Sequence, residues 1–242
     1  MEEKRIPIGA VEMGKMLRNE SIPGAKEMWE AVDRAAAKAP DCVKEGCPMP
    51  LRELVLRNRA YRRFREEITV ERATLEELVD LARHTASAGN RQPLKYVLSC
   101  DPGRNAAVFP CLTWAGYLRD WPGPAEGERP AAYILILGDT AIARDFAYDA
   151  GIAAQTILLG AVERGLGGCI IGGFDRAALR ARLGIPSRYE LLLVLALGAP
   201  AETVVLEELG PDGDVRYWRD GAGVHHVPKR SLEEIILELP LD

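Results

Sequence analysis

Apolar and polar positions fall into regular rhythms from about Leu51 onward. Leu75, Leu78, Val79 and Ala82 recur at i, i+3, i+4 and i+7, the stripe of a helix with one buried face, and Thr74-Leu75-Glu76-Glu77 has the form of a capping box at its start. Asp145 to Arg164 is apolar on nearly every side, which predicts a long helix buried in the domain or at a subunit interface. Apolar runs predict strands at Lys95–Cys100, Ala132–Leu137 and Leu191–Leu197, with Ile170-Ile171 leading into a Gly-Gly turn. Asp175 is placed to cap a helix that ends at Gly184, and Ser231-Leu232-Glu233-Glu234 to cap a final one. Weaker strand signals at Val204–Leu206 and Val215–Trp218 flank the turn Pro211-Asp212-Gly213, and Arg104–Pro130 reads as irregular.

Strands and helices alternate without a strict βαβ rhythm, so the predicted class is α+β, a mixed sheet flanked by helices. Residues 1–50 read as an N-terminal extension, with one amphipathic helix over Lys26–Ala39, and residues 51–242 as the main domain.

Composition narrows the function. Acidic residues outnumber basic ones by 36 to 31, giving net −5, which argues against a general nucleic-acid binder. The start, Met1-Glu2-Glu3-Lys4-Arg5, is charged and leads into no apolar run, and the 13 uncharged residues from Ala150 to Val162 fall short of a membrane span. Five scattered cysteines do not form a disulfide framework, and a cytoplasmic location is expected.

Against that acidic background, Arg57, Arg59, Arg62, Arg63 and Arg65 fall within nine residues. The run fits either a solvated basic face or a phosphate cradle, because guanidinium groups fork onto phosphate oxygens. Three other segments carry possible chemistry. Ser87-Ala88-Gly89-Asn90-Arg91-Gln92-Pro93 is a polar turn whose amides suit the edge of a heteroaromatic ring. The glycines between Gly165 and Gly173 fit either a helix end turning into a strand or a backbone that approaches a flat ligand. Lys229-Arg230 precede the last helix, where two cations oppose the helix dipole unless an anion sits there.

The histidines and cysteines suggest less. His225 and His226 are adjacent and point apart in any extended segment, His84 has no visible partner, and Cys42 and Cys47 lack a second pair for a metal. Cys169 reads as a small buried residue. Trp114-Ala115-Gly116-Tyr117-Leu118 and Trp121 fit a wall over a ligand or ordinary aromatic packing.

Taken in order, the four segments resemble the nitroreductase family of FMN-dependent oxidoreductases, from about Leu51 to the C-terminus. Arg59-Ala60-Tyr61-Arg62-Arg63-Phe64 is similar to its opening R-S-x-R-x-F, Ser87 to Pro93 to S-x-x-N-x-Q-P, and Gly165-Leu166-Gly167 with Gly173-Phe174 to its G-L-G and Gly-Phe elements. The resemblance implies an intertwined homodimer with FMN at the interface. Electrons would pass from NAD(P)H through FMN to a small oxidised acceptor such as a nitro compound or quinone.

By the same resemblance Arg59, Lys229 and Arg230 would hold the phosphate, Arg62 would lie near flavin N1/O2, and Asn90 would bond the pyrimidine ring. The N–H of Gly172 or Gly173 would face N5. Ala60, Gln92 and Ile171, inside the same motifs, complete the expected cofactor contacts. By this resemblance no side chain need act as nucleophile, and no metal, membrane or nucleic-acid partner is implied. Ala60 stands where the family has serine, and Asn58 where a basic residue is common. A flavin binder without redox turnover and a flavin-breakdown or dehalogenation-like member are the other readings.

Overall fold

The structure, a computed structural model, describes residues 49–239. The chain divides into two compact units, Met1–Glu53 and Leu54–Asp242. The helix expected over Lys26–Ala39, and Cys42 and Cys47, lie outside the described residues. Helix α1 (Leu51–Arg57) runs across the boundary, and every later element belongs to the second unit.

Strands β1 (Leu94–Ser99), β2 (Ala132–Asp139), β3 (Gly167–Ile171) and β4 (Tyr189–Gly198) form a sheet in the order β1-β2-β4-β3. Each neighbouring pair is antiparallel. The expected mixed sheet is therefore two sheets. A second, of three strands, joins β5 (Val204–Glu208) in parallel and β6 (Trp218–Arg219) in antiparallel to β7 (His225–Lys229). Val204–Leu206 lies within β5, whereas of Val215–Trp218 only Trp218 belongs to β6, and β5 and β6 pair with β7 and not with each other.

The period-2 pattern of β2 explains the layers. Tyr133, Leu135 and Leu137 face one core, with Phe64, Cys169, Ile171, Val194 and Ala196. Ile134 and Ile136 face the other, where α2 (Arg72–Arg83) supplies Leu75, Leu78 and Ala82, and α4 (Ala147–Glu163) supplies Ala153, Ala154, Ile157 and Ala161. Every residue of β2 is buried, as its unbroken apolar run requires.

Two local expectations differ from the structure. Helix α2 starts at Arg72, so Thr74 lies inside its first turn and caps nothing. The N-cap residue is Glu71, without a side-chain cap bond, and an Arg72–Glu76 ion pair of 2.8 Å spans the first turn instead. The stretch from Arg104 is not wholly irregular. Asp101 accepts a hydrogen bond from Arg104 N (2.8 Å) and caps helix α3 (Pro102–Val108), with Pro102 at a position where its missing N–H costs nothing. The caps at Asp175 for α5 (Arg176–Leu183) and Ser231 for α6 (Leu232–Ile235) stand as expected, and Gly184 ends α5 at φ 64°.

Candidate functional site

The arginine run is not a helix face. Helix α1 ends at Arg57, and the chain then extends along the free edge of β3, with a parallel bridge from Ala60 to Gly168 and a hydrogen bond from Tyr61 N to Gly168 O (3.0 Å). Further on, Phe64 N donates to Glu128 O (2.9 Å) and Arg65 N to Ala199 O (2.8 Å). Glycine is required opposite this segment. A Cβ on Gly167 would lie 2.5 Å from the Tyr61 ring, and one on Gly168 2.6 Å from Ala196 O. The first half of the glycine run is thus explained by close packing, of the Tyr61 and Pro200 rings on Gly167 and of the β4 backbone on Gly168.

The arginines divide by environment. Arg59 donates through Nη2 to Val55 O (2.6 Å), its Nε is shielded without a partner, and burial lowers its pKa from the ordinary value. Arg62 is 9% exposed. Its guanidinium meets Ala60 O (3.2 Å), His225 Nε2 (3.0 Å) and the face of the Tyr217 ring (4.6 Å), so it is committed to protein partners and not to open solvent. Arg63 pairs with Glu128 (3.2 Å), and Glu66 accepts from Gly127 N and Arg129 N.

The polar turn is held from the central helix. Asp149, 5% exposed in the first turn of α4, accepts from Ser87 Oγ and from Ala88 N (3.0 Å). Ser87 Oγ accepts in turn from Gln92 N (2.9 Å). Gly89, Asn90 and Gln92 adopt φ of 59°, 52° and 51°, which presents Asn90 and Gln92 on the surface with their side chains joined by a 3.1 Å hydrogen bond.

Past β3, Ile171 is buried, while Gly172 and Gly173 are exposed with open space beyond Gly172. Thr113 N donates to Gly173 O (2.9 Å), which fastens the turn to the start of the loop carrying Tyr117 and Trp121. Lys229 ends β7 opposite Glu208, and Arg230 pairs with Glu234. Helix α6 has four residues and its cap is already supplied by Ser231, so the helix-dipole argument for an anion there does not hold. Among the described residues, no hydrogen bond or ion pair joins Arg59, the Ser87–Gln92 turn, Gly172–Gly173 and Lys229–Arg230 to one another.

Sequence reasoning passed over the junction that does form, where the arginine segment meets β6 and β7. His225 and Arg219 pair across that ribbon, as do His226 and Trp218, and their side chains alternate between its faces. His225, wholly buried, faces Arg62 and Tyr217. His226 faces outward, between Glu207 (2.7 Å) and Asp220 (3.3 Å), stacked on Trp218.

The adjacent histidines shift in opposite directions. Burial, with the Arg62 and Arg219 charges behind it, lowers His225 to about 4, while hydrogen bonding to Glu207 and then Asp220 raises His226. The contribution of His225 is intact above about 6.5, its ordinary value, and is lost as pH falls towards 4. That of His226 is present below its ordinary value and is lost as pH rises through the raised one. His225→Gln is expected to flatten the loss of stability between those acid limits, read as denaturant midpoints against pH, and an unchanged slope would place the acid sensitivity elsewhere.

Cys169 is buried and its thiol is pushed up by burial, which disfavours a thiolate nucleophile. No group of metal-ligating side chains occurs among the described residues, and none of their helices is long and apolar enough to cross a membrane.

An antiparallel sheet between two cores, with an arginine segment along its edge, defines an α+β protein of the kind found in nitroreductases of known structure. A model of the nitroreductase family matches residues 55–109 and 114–199, and the chain belongs to that family. A Thermus thermophilus protein described as an NADH dehydrogenase is 28% identical over 197 residues, covering 68% of this chain and 93% of that one. The nitroreductase family protein of Streptococcus pneumoniae TIGR4 superposes with a TM-score of 0.56 at 19% identity, covering 78% of this chain and all of that one. An FMN-dependent nitroreductase of Clostridium difficile R20291 gives 0.52 at 22% identity, covering 62% of this chain and 87% of that one.

Proposed function

We propose that the protein is an FMN-dependent oxidoreductase that passes two electrons from NAD(P)H to a small oxidised acceptor, such as a nitro compound or a quinone. The observation that carries this reading is the strand β3. One end is bound to the arginine segment, and the other opens at the exposed Gly172–Gly173 turn. The two ends are roughly 15 Å apart at about 3.3 Å per residue. That suits an elongated ligand with a phosphate at one end and a flat ring at the other. The shielded, unpartnered Nε of Arg59 and the open space at Gly172 fit FMN in that orientation. Family membership, the FMN-dependent neighbour and the NADH-linked relative point the same way.

When bound, FMN supplies hydride chemistry at its ring; the protein supplies position and charge. Arg59, Lys229 and Arg230 would hold the phosphate, for which Arg230 must exchange Glu234 for phosphate oxygens. Asn90 and Gln92 would meet the polar edge of the ring, and the backbone of Gly172 and Gly173 its central face. Arg62 holds the segment against β7 and adds fixed positive charge.

The exposed apolar side chains Ile235, Ile236, Leu237 and Leu239, 54% to 78% accessible, and Tyr148 on α4 support assembly as a homodimer. Purified protein is expected to be yellow, dimeric by light scattering, and to oxidise NAD(P)H with a quinone or nitroaromatic acceptor. A colourless protein that cannot be reconstituted with FMN would overturn the proposal.

A further inference from the structure

The match to the family model stops at Ala199, yet the next thirty residues are tied to the arginine segment, in part by a buried carboxylate. Glu202 has a side chain 1% exposed. Its Oε1 accepts from the backbone N–H groups of both Arg62 and Arg63, the latter at 3.1 Å. Its Oε2 accepts from Arg219 Nη2 at 2.8 Å. Arg219, 12% exposed, lays its guanidinium over the Trp121 ring at 4.7 Å.

A second chain of contacts runs beside the first. The Arg62 guanidinium lies over Tyr217, and Tyr217 packs against Tyr117 at 4.9 Å. Tyr217 and Arg219 are two residues apart in an extended segment and so share one face. Both chains start at the arginine segment and end on the loop of Tyr117 and Trp121. That loop is fastened at Thr113 to Gly173.

We infer that Glu202 is a positioning residue: it fixes the phosphate-side backbone at Arg62–Arg63 and, through Arg219, sets the Trp121 loop as the wall of the acceptor site. The inference rests on the flavin reading above. Its chemistry separates the two duties. One carboxylate oxygen serves the arginine segment and the other serves the loop. Glu202→Gln keeps an amide oxygen for the two backbone donors but gives up the charge that holds Arg219. Glu202→Ala gives up both.

The test compares the two variants with the whole chain loaded with FMN. Glu202→Gln is expected to hold FMN within threefold of the parent while the acceptor KM rises at least fivefold and kcat stays within twofold. Glu202→Ala is expected also to lose FMN affinity by tenfold or more. In flavin-free protein, hydrogen exchange at the Arg62 and Arg63 amides should rise at least tenfold in Glu202→Ala and stay within threefold in Glu202→Gln. Arg219→Met should reproduce the KM effect of Glu202→Gln without the loss of FMN. An unchanged KM in Glu202→Gln, or equal amide exchange in the two variants, would overturn the assignment. If the parent itself takes up no FMN, the flavin reading fails, and the amide exchange still decides whether Glu202 holds the segment. If Glu202→Ala does not fold, Glu202→Gln and Arg219→Met decide the loop half alone.

Discussion

Phe64→Ala is expected to destabilise the protein by about 4 kcal/mol, within the range of about 3–5 found when a buried phenylalanine is truncated. Phe64 is fully buried and belongs to the core that contains Tyr133, Leu135, Val194 and Ala196. Its backbone is held on both sides, by Glu128 O and by the bridge to Pro200, so the chain cannot slide in to fill the space. Glycine at 198 is already matched to the ring, since a Cβ there would stand 3.0 Å from it. The cavity would therefore stay largely open. At about 2–4 °C per kcal/mol for a domain of this size, the melting temperature should fall by roughly 8–16 °C. Thermal and urea unfolding measure this directly. A loss below about 1.5 kcal/mol would mean that the edge segment collapses inward, and that Phe64 does not anchor it.

The case of Phe64 also shows what the sequence could reveal. The long strands and central helix were legible because their apolar runs have no alternative to burial. Ala132–Leu137 became β2, and Asp145–Arg164 contains α4. The caps at Asp175 and Ser231 were legible because a side-chain cap is a local event. Thr74 caps nothing because the helix begins two residues before it, at Arg72.

The site divided in the same way. The motifs singled out Asn90, Gln92, Gly172 and Gly173, and all four lie at the surface. The long-range contacts that hold individual segments in place were hidden. Glu202 lies 140 residues from Arg62, and a lone Glu between Ala201 and Thr203 does not reveal which distant groups its carboxylate will meet. His225 and His226 were expected to point apart, and they do, but only the register of β7 against β6 decides which one meets Arg62. Asp149 carried a faint signal, as the one acid at the start of an otherwise apolar helix, where the helix dipole favours negative charge.

Asp149→Ala is expected to remove about 3 kcal/mol of stability and most of the affinity for flavin. The buried carboxylate accepts from the half-buried Ser87 hydroxyl and the Ala88 N–H, and a hydrogen bond to a charged group contributes about 1.5–3 kcal/mol. The effect travels further because Ser87 Oγ is itself the acceptor for Gln92 N. Gly89, Asn90 and Gln92 sit in left-handed conformations, which for the two non-glycine residues are held only by the bonds around them. Without Asp149 the turn should relax, and Asn90 and Gln92 should lose their fixed presentation. Asp149→Asn keeps one acceptor oxygen and should lie about midway in unfolding free energy.

The phenol of Tyr96 supplies an independent readout. It is pushed up to about 12 by burial and then by the Asp149 charge, so its ultraviolet titration should move down towards the ordinary tyrosine value in Asp149→Ala. Flavin affinity is read by fluorescence titration. A variant that loses the expected stability but binds FMN as the parent does would separate the Ser87–Gln92 turn from the cofactor site. One that keeps its stability would mean that water replaces the carboxylate.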